Sequence, residues 1–184
     1  MAVIQTIRQL FTADETSEPR IIVPAPDTEY TIKPLTSNQL KEVLRLNMRC
    51  FRSGDSYTRH TFAYLLSLPT ALSYRVVTSK SEMVAFAFVM ITETGAGHLT
   101  TIGVAPEHRR RKIAERLLQH TERSLSKRGI ATMMLEVRVG NVAAQNLYRS
   151  NGYAAVQRIG NYYINGEDCF LMIKPLGGID DIEV

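Results

Sequence analysis

The order of strand-like and helix-like segments predicts a mixed α/β fold, in which one sheet of about seven strands is flanked by about four helices. Stretches rich in β-branched and aromatic residues predict the strands, and apolar residues at helical spacing predict the helices. Three strands follow one another in the middle of the chain, and strands then alternate with helices, which gives the order βααβββαβαββ. This order favours a mixed sheet over an all-parallel one.

The N-terminal half of the predicted domain holds one strand, two helices and two further strands. Pro34 ends the first strand, Thr36 or Ser37 can cap the first helix, and Pro69 follows the second. The stretch MVAFAFVMIT is apolar throughout, which predicts a strand buried on both faces. The expected ranges are 30–33, 36–50, 57–68, 74–78 and 83–92.

The C-terminal half opens with a strand that Pro106 ends, followed by a long helix. Gly129 is expected to terminate that helix, and Gly140 and Asn141 to turn the chain between the next strand and a short helix. Asn165 and Gly166 predict a hairpin between the last two strands. The expected ranges are 99–104, 113–127, 133–139, 142–149, 153–158 and 169–174.

Length and composition predict a single domain. A chain of 184 residues that is 45% hydrophobic can bury one core, which we place at 28–176. Residues 1–27 are expected to be an N-terminal extension, either docked or mobile, and 177–184 a tail. We expect a cytoplasmic protein without a membrane span or structural zinc, because no apolar run is long enough and the two cysteines stand far apart.

The excess positive charge is concentrated in one turn. Arg109, Arg110, Arg111 and Lys112 equal the net charge of +4, which favours a local anion site over the broad basic surface of a nucleic-acid binder. They lie between a strand and the start of a helix, where unpaired N–H groups attract anions. This turn is therefore predicted to bind a multiply charged anion such as a pyrophosphate.

Three blocks in order carry a resemblance to the GNAT acyltransferase superfamily, namely GHLTTIGVAPEHRRRKIAERLL, LEVRVGNVAAQNLYRSNGY and YYINGEDCFLMIKPL. More narrowly, the chain resembles ribosomal-protein alanine N-acetyltransferases and the archaeal and eukaryotic catalytic subunits of protein N-terminal acetyltransferases, over about 30–176. The resemblance implies a GNAT fold with a mostly antiparallel sheet, whose splayed central strands form the acetyl-CoA cleft.

The resemblance implies acetyl-CoA as co-substrate, without a metal. Arg109 and Ala114 bound the family's R-x-x-G-x-A pyrophosphate pattern, in which Lys112 replaces the usual glycine. The strand before the turn is implied to bind the pantetheine arm, and Asn141 and Tyr148 to lie along that arm and at its sulfur. The implied cofactor residues are Ile102, Gly103, Val104, Arg109, Arg110, Arg111, Lys112, Ile113, Ala114, Asn141 and Tyr148.

Two residues of the second block match catalytic positions of the family. Glu136 matches the carboxylate proposed as general base, acting through a water, and the alternative is a strand carboxylate paired with Arg138. Tyr148 matches the general acid that protonates the leaving thiolate, and the alternative is ordinary helix packing. His98 also matches a histidine found in the archaeal and eukaryotic branch, but it is left outside the predicted catalytic set.

The substrate positions are implied in the same way. Tyr162 and Tyr163 match paired tyrosines on the hairpin that covers a substrate peptide, with hairpin packing as the alternative. Phe51 and Tyr57 are candidates for the wall of the pocket for the first substrate residue, and Asp55 for a loop carboxylate with an alternative turn role.

The sequence thus predicts direct acetyl transfer to the N-terminal α-amine of a protein or peptide. A small-molecule amine or a lysine side chain is the alternative acceptor. A non-catalytic acyl-CoA-binding module is the alternative of another class. Nucleic acid and membrane are not expected as partners, and the oligomeric state is left open.

Overall fold

The computed structural model describes residues 22–51 and 56–177. The predicted turn at 53–55, including Asp55, lies outside the described residues, as do 1–21 and 178–184. The strands are β1 Tyr30–Pro34, β2 Ala71–Thr78, β3 Met83–Ile91, β4 Gly97–Val104, β5 Thr132–Arg138, β6 Ala154–Ile159 and β7 Cys169–Pro175. The α-helices are α1 Leu40–Cys50, α2 Arg59–Ser67, α3 Ile113–Ser126 and α4 Val142–Ser150. Short 3-10 turns lie at Ser37–Gln39 and Pro106–His108.

The seven strands form one sheet in the order β1-β2-β3-β4-β5-β7-β6. All neighbouring strands are antiparallel except β4 and β5, which are parallel. The prediction of a mixed, mostly antiparallel sheet is therefore confirmed.

Strand β3 forms the centre of the core. Every residue from Met83 to Met90 is buried, as the continuous apolar run predicted. Helices α1 and α3 both pack on β3. Phe62 of α2 adds an aromatic contact, with its ring centroid 5.0 Å from that of Phe88. In the part of the chain that the structure describes, no helix has the length and apolarity needed to cross a membrane.

Strands β4 and β5 separate soon after they meet. Their register contains only two pairs, Gly97 with Met133 and His98 with Met134. On the other side of β4, Phe88 pairs with Thr101 and Val89 with Leu99, so Thr100 is an extra residue in β4. Such a bulge bends the strand that contains it. The bend coincides with the separation from β5, and the cleft predicted between splayed central strands is confirmed.

Candidate active site

A histidine and a glutamate face each other where the cleft begins. Nε2 of His98 on β4 lies 2.6 Å from Oε2 of Glu136 on β5, and both side chains are only 8% exposed. Glu136 lies two residues beyond Met134, the last β5 residue paired with β4. A carboxylate held against an imidazole in this way can accept a proton from a group that enters the cleft.

Arg138 interacts with the hairpin before β7. Its Nη1 donates to Oε2 of Glu167 at 2.7 Å and to Oδ1 of Asn165 at 3.1 Å. Burial alone raises the pKa of Glu167, but hydrogen bonds from the Gly140 N–H and from Arg138 outweigh it and leave this pKa below its usual value. Glu136 contacts His98 across the two splayed strands.

The basic turn leads into a helix start whose first N–H groups have no acceptor within the helix. Arg110 and Lys112 both have left-handed backbone conformations, with φ of 63° and 56°. The N–H of Arg116 donates to the carbonyl of Lys112 at 3.0 Å, so the N–H groups of residues 113–115 precede the first such bond of α3. Lys112 adopts the left-handed backbone conformation that glycine adopts easily.

Two of the four basic side chains of this turn bind oxygens of the protein itself. Arg109 donates to the carbonyls of Val104 at 3.2 Å and Cys50 at 3.1 Å, which links the ends of β4 and α1. Arg111 donates to groups in the segment 25–30. The side chains of Arg110 and Lys112 are exposed beside the helix start, where they add positive charge.

The end of β4 lies close to the core. A Cβ atom at Gly103 would lie 2.9 Å from two ring atoms of Phe86 and 3.2 Å from Sγ of Cys50, so this strand position has space only for glycine. Burial raises the pKa of the Cys50 thiol to about 12, which keeps it protonated. Ile102 and Val104 are half-buried on either side of Gly103.

Asn141 immediately precedes helix α4, and Tyr148 lies within it. Oδ1 of Asn141 accepts the N–H of Ala144 at 3.1 Å, so this predicted cofactor residue also caps the helix. Tyr148 is 7% exposed, and burial raises its pKa, so its phenol keeps its proton. Its ring packs at 62° to that of Tyr153, with 5.8 Å between centroids.

The predicted substrate residues fall into two groups. Near α1, the hydroxyl of Tyr57 donates to the carbonyl of the bulge residue Thr100 at 3.0 Å, and the Phe51 ring meets that of Phe86 at a centroid distance of 6.3 Å. On the hairpin between β6 and β7, the guanidinium of Arg138 lies 3.6 Å from the centroid of Tyr163. The Tyr162 ring lies 5.1 Å from that of Tyr163.

Sequence reasoning left out three residues that organise these groups. His98 was recognised in the GHL motif, but only the strand register brings it to Glu136. Asn47, fully buried in α1, donates to the carbonyl of Tyr57 at 3.1 Å. Glu122 of α3 accepts from Tyr153 at 2.9 Å and from Lys174 at 2.6 Å, and no local pattern points to this buried network.

The separated edge of β4, the basic helix start and the buried carboxylate–imidazole pair form the arrangement expected of an acyl-CoA-dependent acyltransferase. The family model of the acetyltransferase (GNAT) family matches residues 40–153, which is more than half of the chain. The chain belongs to this family, whose members use acetyl-CoA, and the resemblance found in the sequence is confirmed.

Two of the similar proteins are named as N-acetyltransferases. An N-alpha-acetyltransferase of Saccharolobus solfataricus is 40% identical over 157 residues, covering 80% of this chain and 94% of the relative. The [ribosomal protein bS18]-alanine N-acetyltransferase of Escherichia coli K12 is 39% identical over 105 residues, covering 54% and 69%. Family and relatives together make this chain an acetyl-CoA-dependent N-acetyltransferase.

The fold agrees with these relationships. The crystal structure of the ribosomal-protein-S18-alanine N-acetyltransferase from Escherichia coli superposes with a TM-score of 0.74 at 29% sequence identity. The superposition covers 85% of this chain and 99% of the other.

Proposed function

We propose that this enzyme transfers the acetyl group of acetyl-CoA to the N-terminal α-amine of a protein or peptide. The observation that carries the proposal is the contact between Glu136 and His98 at the point where β4 and β5 separate. It supplies a proton acceptor at the start of an open strand edge.

The residues present fit acetyl-CoA, because the turn offers unpaired N–H groups at the start of α3 and the exposed cations Arg110 and Lys112 for a diphosphate. The β4 edge beyond His98 has no partner in β5, so those backbone groups of Ile102, Gly103 and Val104 that point away from β3 are proposed to bind an amide-containing arm. When bound, acetyl-CoA supplies an acetyl thioester with a good leaving group. The role of Arg109 and Arg111 in this site is to hold the turn through their hydrogen bonds to the protein.

The acceptor must lose a proton, since only a neutral amine is nucleophilic. A protein α-amine has a pKa of about 8, whereas a lysine side chain has one of about 10.4, so far more of the α-amine is neutral at pH 7. A carboxylate with His98 beside it is a modest base. Such a base is sufficient for an α-amine and poorly suited to a lysine side chain. Glu136 takes the proton, directly or through a water, and His98 fixes the orientation of its carboxylate.

Tyr148 is the proposed donor to the departing thiolate. Because burial raises its pKa, the phenol acts by donating a hydrogen bond rather than by releasing its proton completely. Asn141, at the start of the same helix, lies on the path proposed for the cofactor arm.

A peptide acceptor is supported by the hairpin between β6 and β7. Tyr162 and Tyr163 are both half-buried there, and Arg138 holds the second ring. Phe51 and Tyr57 are proposed to line the pocket for the first residue of the peptide. The names of the Escherichia coli and Saccharolobus solfataricus relatives support such an acceptor. Two cysteines without a disulfide are compatible with the proposed cytoplasmic location.

The test is incubation of the enzyme with acetyl-CoA and paired peptides that contain one lysine, one with a free N-terminus and one with a blocked N-terminus. The proposal expects one acetyl group on the α-amine of the free peptide and none on the blocked peptide, as located by tandem mass spectrometry. Acetylation of lysine in both peptides would favour the lysine or small-amine alternative. CoA binding without turnover on any acceptor would favour a non-catalytic module.

A further inference from the structure

The turn that binds the diphosphate contains two strained residues. Arg110 and Lys112 have positive φ, at 63° and 56°, although both carry a Cβ. Non-glycine residues in this region cost conformational free energy and persist only where neighbouring groups impose them. Between them, Arg111 binds to the segment 25–30, which leads into β1 and includes its first residue, Tyr30.

We propose that the segment 25–30 and Arg111 together form a clamp that holds the turn in its binding conformation. The hydrogen bonds of Tyr30 and Arg111 compensate for the absence of glycine at position 112. This inference rests on the proposed binding of acetyl-CoA at the turn. Tyr30 and Arg111 are positioning residues in this account, since they act on the cofactor site through its backbone.

The guanidinium of Arg111 donates most of the hydrogen bonds of the clamp. Its Nη1 donates to the carbonyl of Pro26 at 3.0 Å and to the hydroxyl of Tyr30 at 2.9 Å, and its Nη2 donates to the carbonyl of Ala25. The carboxylate of Asp27 lies 3.5 Å from Nη1. A side chain fixed to this many oxygens also fixes the backbone of the two left-handed neighbours.

Tyr30 connects Arg111 to the other side of the turn. Because a guanidinium can only donate, the Tyr30 oxygen is the acceptor from Arg111, and its own proton is free for Nδ1 of His108, at 2.9 Å. His108 is 4% exposed and belongs to the 3-10 turn Pro106–His108, immediately before the basic residues. One phenol therefore links both ends of the turn.

A backbone contact completes the clamp. The N–H of Ala25 donates to the carbonyl of Glu107 at 2.9 Å, and the Glu107 carboxylate pairs with Arg49 of α1. The segment is thus hydrogen-bonded to residues 107, 108 and 111 of the turn. Part of the predicted N-terminal extension therefore contacts the cofactor turn.

A double-mutant cycle between Tyr30→Phe and Lys112→Gly tests the coupling that the clamp requires. Tyr30→Phe removes the linking hydroxyl without changing charge, and Lys112→Gly removes the strain that the clamp offsets. Tyr64→Phe, at a 55% exposed tyrosine on α2, is the matched control. Each variant is measured by calorimetry with CoA and by thermal unfolding without CoA.

We expect Tyr30→Phe to raise the Kd for CoA about tenfold in the natural background, as the loss of a hydrogen bond to a charged group implies. In the Lys112→Gly background the same change is expected to raise Kd about threefold or less. The KM for acetyl-CoA should follow Kd while the KM for the peptide stays constant, and Tyr64→Phe should change neither. Tyr30→Phe should likewise lower the melting temperature less in the Lys112→Gly background than in the natural one.

Equal effects of Tyr30→Phe in the two backgrounds, on both CoA affinity and melting temperature, would overturn the clamp. If the unaltered protein showed no saturable CoA binding, the proposed function would fail instead. The ligand-free melting temperatures would still decide the clamp in that case, because coupling between positions 30 and 112 does not require the cofactor.

Discussion

Nε2 of His98 and Oε2 of Glu136 lie 2.6 Å apart across two strands that pair at only two positions. The contact bridges the strands at the inner end of the cleft. Both side chains are nearly buried, so their interaction is weakly screened by solvent. The bulge at Thr100 bends β4 directly beyond this point, and the open backbone edge begins beside the pair.

Replacing the Glu136 carboxylate tests its role as base. Glu136→Gln keeps the shape and a hydrogen-bonding group but cannot take up a proton, so kcat should fall by about 10²- to 10⁴-fold. The Kd for CoA should change little, since Glu136 is not among the residues proposed to hold the cofactor. Initial rates with a peptide substrate and calorimetry with CoA measure the two effects. Turnover at the natural rate would remove Glu136 from the mechanism.

His98→Gln serves as the companion variant. It should reduce kcat less than Glu136→Gln, because His98 acts by orienting the carboxylate. In the double variant the reductions should not multiply, since the two residues form one unit. Fully multiplicative losses would show that the two residues act independently.

Tyr148→Phe tests the proposed donor on α4. The ring contact with Tyr153 is retained in this variant, so the free energy of unfolding should change by no more than about 1.5 kcal/mol. Loss of the donor should reduce kcat by about 10²-fold or more. The same rate for the variant and the unaltered enzyme, under conditions where chemistry limits turnover, would leave Tyr148 with a packing role only. Tyr64→Phe, at an exposed tyrosine on α2, retains Tyr148 and is the matched control.

Gly103→Ala should disturb the end of β4. The added Cβ would lie 2.9 Å from two ring atoms of Phe86, closer than such contacts allow. We expect a loss of about 1–3 kcal/mol in the free energy of unfolding, measured in urea. Phe86→Leu in the same chain should make the double variant more stable than the sum of single effects, because it vacates the contacted space. If the two substitutions changed the free energy of unfolding additively, the contact between position 103 and Phe86 would not be the cause of the loss.

The Cys50 thiol gives a pH-dependent prediction. Its pKa is raised to about 12 by burial, whereas an unfolded cysteine has a pKa of about 8.5. The raised pKa therefore stabilises the fold fully below about pH 8.5, and this contribution is lost as pH rises toward 12. At pH 8.5, iodoacetamide should modify Cys50 at least about tenfold more slowly in the folded protein than in urea. Mass spectrometry distinguishes it from Cys169, and equal rates would contradict its burial.

Periodic and local features of the fold were predictable from the sequence. The continuous apolar run of β3, the helix stop at Gly129 and the hairpin at Asn165 and Gly166 each depend on chemistry within a few residues. Strand β2 begins three residues before the predicted start, at Ala71, because pairing with β3 extends it. Such a boundary depends on the partner strand rather than on the segment itself.

The contacts that organise the site depend on tertiary structure. The pairing of His98 with Glu136 requires the parallel register of β4 and β5, which no single strand encodes. The contacts of Arg111 with the segment 25–30 join residues about 85 positions apart. Because the partners are so distant in sequence, the run of four basic residues predicts positive charge but not these contacts. The family resemblance predicts which residues lie at the site, but it does not predict that Arg109 and Arg111 are hydrogen-bonded to the protein itself.

Hydrogen–deuterium exchange with and without CoA tests most directly whether the splayed strand and the basic turn form the cofactor site. The account predicts that saturating CoA slows exchange at amides of 99–104 and 110–115, while the edge strand Ala154–Ile159 is unchanged. Unaltered exchange in both of the first two stretches at saturating CoA, or protection confined to another part of the sheet, would contradict it.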